Sequence, residues 1–371
     1  MYLLIAADIF PPESGGPATY CVTLANELVK KGYKVIVVSL NPNSDKTKLN
    51  GSEVFAVKSR FKPLRYWQYY KLLLKHGRDA DIIYAMGPVN AGYPALRAAK
   101  KLGKKFVVKV VGDYAWEQGQ VLGLVKDSID DFQKKQYGGK IGGLQKIEKK
   151  VVRAADLVIT PSDYLKNMVI GWGASEGKVK KIYNAVQLPL DVKPVAKPAG
   201  ERWIVSVGRL VPWKNVEFIM KAIKELGWSD LKLKVIGDGP ERIRLEQIRI
   251  EHNLGEVVEF LGNLPHDSAL QYMAAADLVA LDSGYEGLSH VLLEARFLGR
   301  PAIASRVGGN PEVIREEDHL FTWRAVVELR KAIEVIINRP VEGMPAEFAT
   351  FFSFGKMVED TKKALSEVCV N

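Results

Sequence analysis

Short apolar runs alternate with amphipathic stretches along nearly the whole chain, and the alternation happens twice. In the first half the runs are Tyr2–Asp8, Lys34–Ser39, Val54–Val57, Ile82–Ala85, Phe106–Val111, Leu157–Thr160 and Lys180–Tyr183. Apolar spacing between them predicts helices over Ala18–Lys31, Trp67–His76, Tyr93–Leu102 and Lys140–Ala154. Parallel neighbours need a crossover, so strands alternating with helices predict a parallel, doubly wound sheet. The stretch 188–200 holds three prolines and no periodicity, and reads as a linker. The pattern then restarts, with strands at Trp203–Val207, Lys232–Ile236, Val257–Leu261, Leu278–Leu281 and Pro301–Ser305. Helices are predicted over Asn215–Leu226, Arg242–Asn253, Ser268–Ala275, Val291–Leu298, Pro311–Ile314 and Val326–Asn338, and a last one over Phe354–Val368. A chain of 371 residues exceeds one ordinary core. The expectation is two α/β domains, 1–187 and 201–353, with a last helix following the second.

Composition narrows the class. With 47% hydrophobic and 26% charged residues and no low-complexity tract, the chain is globular. Its first residues carry no basic group ahead of the apolar run, so they read as a strand rather than a secretory signal. No apolar run approaches the ~18 residues of a membrane span. Cys21 and Cys369 sit near opposite ends and make neither a disulfide framework nor a metal site, so a reducing cytoplasm is expected. Charge is uneven: residues 1–196 hold 31 Lys+Arg against 17 Asp+Glu, and the remainder 22 against 26. That bias concerns the first half's partners, and an anionic partner or membrane face fits it.

Ligands of doubly wound sheets sit beyond the carboxyl ends of the strands. Asp8 and the Gly15-Gly16 loop, Gly112-Asp113, Gly208-Arg209, Gly237-Asp238-Gly239 and Glu286 all fall there. Ser14-Gly15-Gly16-Pro17 opens a helix, where glycines admit a ligand to the backbone and the helix N-terminus favours anions. Arg209 and Lys214 share one strand-to-helix loop; a guanidinium fork with an ammonium suits a diphosphate, and taken alone the two read as surface cations. Further on, Glu286 and Glu294 bracket seven residues, with Ser289 placed to cap a helix. Taken alone, that stretch is equally a strand–helix corner with two solvated glutamates. Pro63–His76 mixes aromatics, leucines and cations, as a core helix with a basic outer face or a membrane-surface helix would.

Together these residues resemble a retaining glycosyltransferase of family 4, with the GT-B fold of two facing Rossmann-like domains and an interdomain cleft. The resemblance covers nearly the whole chain, and it implies that the C-terminal helix (354–371) crosses back to join the first domain. It includes Thr160-Pro161-Ser162, Asn184-Ala185-Val186 and Gly308-Gly309-Asn310-Pro311-Glu312. It implies that Arg209 and Lys214 hold the diphosphate of a nucleotide-sugar, with Gly15 and Gly16 closing over it. Glu294 would bind the ribose and Glu286 the transferred sugar. The backbone of Gly287, Leu288, Ser289 and His290 would meet the phosphates, and that around Leu264 the base. Were the stretch helical throughout, the two carboxylates would stand about 12 Å apart, the span from ribose to sugar. No cofactor and no metal are expected; Asp79-Ala80-Asp81 has the spacing of metal-dependent transferases of another fold but precedes its strand.

One departure stands out. Where many relatives carry a histidine, this chain reads Gly112-Asp113-Tyr114-Ala115-Trp116-Glu117, so Asp113 becomes the expected polar contact for sugar or acceptor. The resulting expectation is a cytoplasmic or peripheral-membrane enzyme of cell-envelope polysaccharide, lipopolysaccharide or glycolipid assembly. Its rivals are a nucleotide-sugar 2-epimerase of the same fold and a non-catalytic basic protein binding an anionic surface. No nucleic-acid-binding motif is visible.

Overall fold

The computed structural model describes residues 1–13, 16–44, 49–189, 191–340 and 343–370. The chain divides into two compact units. The first gathers residues 1–119, 131–184 and 354–371, and the second 120–130 and 185–353. The division thus falls at Asn184/Ala185, slightly before the sequence-based boundary, and it cuts out a short segment that the sequence pattern does not mark.

The first unit's sheet comprises β1 (Tyr2–Ala7), β2 (Lys34–Ser39), β3 (Glu53–Ala56), β4 (Ile82–Met86), β5 (Lys105–Lys109), β6 (Leu157–Thr160) and β7 (Val179–Lys181). Its order is β3-β2-β1-β4-β5-β6-β7, and every pairing is parallel. Leu3, Leu4, Ile5, Ala6 and Ala7 of β1 are all buried. Helices therefore cover both faces, and the strand reads as one apolar run.

The second unit's sheet comprises β8 (Arg202–Val207), β9 (Leu231–Ile236), β10 (Val258–Gly262), β11 (Leu278–Leu281), β12 (Ala302–Ser305) and β13 (Leu320–Phe321). Its order is β10-β9-β8-β11-β12-β13, again parallel. In each unit the strand order reverses once, between β1 and β4 and between β8 and β11. At these two points the connections leave in opposite directions and open a crevice at the carboxyl edge.

Several elements escape the sequence pattern. Helices Tyr114–Val121, Ile129–Gln133, Asp163–Gly171 and Ala346–Phe352 are short, and β13 has only two residues. The helix predicted from Trp67 begins at Lys62, because Pro63 is tolerated in a first turn. Among its described residues the linker carries no helix or strand, yet it is not loose chain. Val195 N–H donates to the Gln271 carbonyl at 3.3 Å, and the Lys197 ammonium meets Asp277 at 2.6 Å. The last helix, Phe354–Val370, lies in the first unit, where Met357, Val358 and Leu365 are buried and Glu359 and Glu367 pair with Lys31 and Lys180.

The first unit also buries a lone lysine. Lys109, at the end of β5, has no hydrogen-bond partner for its amine among the described residues, which instead lies 3.8 Å from the centre of the Tyr20 ring. Burial disfavours the charged form and brings its pKa from 10.5 down to about 7. Between those values the unfolded chain holds the extra proton, so stability rises with pH across that window; below about 7 both states are protonated and the slope vanishes. Lys109→Met is expected to flatten that rise in urea unfolding followed from about pH 7 to about pH 10. An unchanged slope would show that the amine is hydrated in the fold.

Candidate functional site

In the second unit the two loops at the order reversal carry the marked residues. The first runs from Gly208 to Asn215 after β8, the second from Asp282 to Ser289 after β11. Gly208 has φ 152° and lies against the Lys214 side chain, so that a Cβ placed on it would stand 3.7 Å from Lys214 Cε. The Gly237-Asp238-Gly239 turn after β9 supports this loop from below. Leu210 N–H donates to the Asp238 carbonyl at 2.9 Å, and a side chain at Gly239 would meet the Leu210 carbonyl oxygen at 2.3 Å. Only glycine allows so close an approach.

Lys214 and Glu286 form an ion pair across the two loops, with side chains 17% and 13% exposed. Two more bonds tie the loops. Asn215 Nδ2 donates to Asp282 Oδ2 at 2.5 Å, and Gly284 N–H donates to the Trp213 carbonyl at 2.7 Å. Asn215 sits in the left-handed region at φ 46°, a conformation that asparagine tolerates better than most residues. Burial pushes the Asp282 carboxyl up to about 6, against the opposing hydrogen bond from Asn215. Arg209 is exposed and, among the described residues, pairs with no carboxylate. Gly208, Arg209 and Lys214 help to line a pocket of about 220 Å³, open solvent included.

Glu294 lies one helix turn further on. The helix is His290–Phe297, and its N-cap is Ser289, whose Oγ accepts from Leu292 N–H at 3.4 Å. Glu286 therefore belongs to an irregular loop, not to the helix, and the 12 Å spacing that assumed a continuous helix does not apply. Gly287, Leu288 and Ser289 are buried at the approach to this helix N-terminus, and His290 is its first residue. Glu294 Oε1 meets His266 Nε2 at 2.8 Å, and this bond is the main cause of the raised pKa of His266. His266 opens the helix His266–Ala275, two residues after half-buried Leu264 in the loop beyond β10.

The first unit's sites divide differently. Gly15 lies outside the described residues, and Gly16 opens the helix Gly16–Lys30. Across its order reversal, Asn90 Nδ2 reaches Asp8 Oδ2 at 3.5 Å and Tyr66 Oη donates to Asn90 Oδ1 at 2.7 Å. Burial raises the Asp8 carboxyl to about 6. Asp113 is held by bonds within the first unit. It is buried, Oδ1 accepts from Trp116 N–H at 2.7 Å and Oδ2 from Gln133 Nε2 at 2.8 Å. Oδ1 thus serves the start of the helix Tyr114–Val121, and Oδ2 ties in the end of the helix Ile129–Gln133, so both oxygens are engaged within the fold. Asp79 and Asp81 lie just before β4, at the amino edge, where Asp81 accepts from Tyr2 N–H at 2.7 Å.

Sequence reasoning missed Asp282, Asn215 and His266. Asp282 carried a signal, since it is an acidic residue directly after a buried strand. His266 carried none, because its partner is 28 residues away.

Two parallel α/β units, the second with cations and carboxylates gathered at its order reversal, define a doubly wound protein with a charged ligand edge. Comparison names the family. Residues 14–189 match the description Glycosyltransferase Family 4 and residues 189–348 match Glycosyl transferases group 1. The chain is 30% identical to a chain of the human phosphatidylinositol N-acetylglucosaminyltransferase, over 99% of this chain and 76% of that one. A sucrose-phosphate synthase from Thermosynechococcus elongatus superposes with a TM-score of 0.79 at 21% identity, covering 99% and 98% of the two chains. Anabaena HepE, solved with UDP-glucose, does so at 0.74 and 20%, covering 99% and 100%. The chain belongs to the group 1 glycosyltransferases of family 4, has the GT-B fold and is a glycosyltransferase.

Proposed function

We propose that this glycosyltransferase moves a sugar from a nucleoside-diphosphate donor to an acceptor hydroxyl with retention at the anomeric carbon. The observation that carries this reading is the meeting of Lys214 and Glu286, with Arg209 on the same loop, at the order reversal of the second sheet. Arg209 and Lys214 take the diphosphate, and the backbone at Gly287, Leu288, Ser289 and His290 adds the positive end of a helix. Glu286 accepts hydroxyls of the transferred sugar. Glu294, held by His266, accepts those of the ribose, and the loop around Leu264 lines the base.

Departure of the nucleotide places negative charge on the diphosphate, and fixed cations stabilise that charge as it develops. The acceptor hydroxyl attacks from the face the diphosphate leaves, and a phosphate oxygen takes its proton. Two cations and a helix end supply the counter-charge in this scheme, so no metal is called for. The Asp113 carboxylate positions the helix Tyr114–Val121 rather than touching sugar.

The first unit presents the acceptor. Residues 54–78 hold seven Lys and Arg and no Asp or Glu, and on the helix Lys62–His76 the stripe through Leu64 and Trp67 is exposed to 43% and 57%, with Phe61 ahead of it at 70%. Apolar side chains ringed by cations suit an anionic bilayer surface carrying a lipid-linked acceptor. No helix among the described residues is long and apolar enough to cross a membrane.

Thermal shift with UDP, GDP and ADP, followed by transfer from the matching sugar nucleotides to acceptors in anionic vesicles, tests the whole reading. A ligand at 100 times its dissociation constant stabilises by about 2.7 kcal/mol. No shift with any of the three would sink the donor assignment. Release of an epimer without acceptor would make the protein an isomerase.

A further inference from the structure

The same two loops hold a device that the roles above do not use. We propose that Glu286 stands in for the diphosphate on Lys214 before a donor binds, so that phosphate recognition releases the sugar-binding carboxylate. This rests on the donor reading above.

The Lys214–Glu286 pair is not a chance surface contact, since both side chains are largely buried. Its loops are fixed by the Asn215–Asp282 and Gly284–Trp213 bonds, and Asp282 also accepts from Arg324 N–H at 3.4 Å, which ties in a third segment. The backbone therefore stays, and a ligand must exchange side-chain partners rather than move loops. Exposed Arg209, unpaired among the described residues, makes the first phosphate contact. A diphosphate then outcompetes a single carboxylate for Lys214, because it brings more charge and more acceptor oxygens. Glu286, left without its cation, accepts hydroxyls of the hexose. Sugar recognition follows phosphate recognition, and a free hexose meets a carboxylate already engaged. The specificity lies in this order: an apparent affinity is lowered by the cost of opening the pair, and only a phosphate ligand recovers it.

A double-mutant cycle on the full chain tests this, with nucleoside diphosphate affinities measured by calorimetry. Glu286→Gln should tighten the preferred nucleoside diphosphate about tenfold, roughly 1.4 kcal/mol, while transfer falls. In a Lys214→Gln background the same change should do nothing, because the pair no longer exists. Glu286→Asp, a gentler variant, should tighten in the same direction by less. Equal tightening with and without Lys214 would reveal simple charge repulsion and overturn the exchange. So would no tightening in the parent background. A parent that binds none of the three nucleoside diphosphates overturns the donor reading itself, and this proposal with it.

Discussion

Lys214→Gln is expected to lower kcat/KM for transfer by about 10²- to 10³-fold, the usual loss when one fixed stabiliser of developing charge is removed. Glutamine removes the cation, and with it the pair to Glu286, but keeps a polar side chain of similar bulk. The effect should therefore fall on chemistry more than on folding, and it should appear in kcat as well as KM, since charge on the diphosphate grows as the bond to sugar breaks. Lys214 is held in place by its neighbours. Its own N–H donates to the Val211 carbonyl at 2.9 Å, and the left-handed Asn215 turns the chain directly after it. Steady-state kinetics with the donor identified by thermal shift provide the measurement. A loss below threefold, with an unchanged melting curve, would show that the ammonium takes no part in the transition state.

Gly308→Ala should do more harm than its size suggests. Gly308 has φ 55°, and a Cβ there would stand 2.0 Å from the Glu286 carbonyl oxygen, which also accepts from Gly309 N–H at 2.9 Å. The methyl cannot fit unless the Glu286 backbone moves. The expected result is a loss of about 2–3 kcal/mol in the second unit's stability. A displacement near 1 Å at Glu286 would also cost about 10²-fold in transfer. Gly227→Ala is the control. It ends the helix Val216–Leu226 at φ 64° with nothing within 4 Å of a new Cβ, so it should cost only about 1 kcal/mol for backbone strain. Equal unfolding curves and activities for the two variants would refute the steric argument.

Some of the architecture was legible because its cause is local. The buried run Leu278–Leu281 is a strand of those bounds, and Ser289 caps a helix beginning one residue later. Both follow from side chains within a few positions of each other. The helix Tyr114–Val121 escaped notice because Gly119 interrupts its pattern and its start depends on an Asp113 carboxylate that could as well have faced a ligand. Two-residue β13 has no period at all to read.

The chemistry shows the same division. Residue types and their place after strands suggested Arg209 and Lys214 for a diphosphate, whereas the ribose and sugar roles of Glu294 and Glu286 came only with the family resemblance. What sequence could not supply was partnership. Lys214 and Glu286 are 72 residues apart, and they meet only because β8 and β11 are neighbours in the sheet. Strand order is set by packing among elements distant along the chain, whereas periodicity reports only which face of each element is buried. The sequence by itself thus determined the two alternating α/β halves and the loops that could bear a site. Tertiary structure alone decided that Asp113 bonds Trp116 and Gln133, that His266 meets Glu294, and that Lys214 and Glu286 are paired with each other.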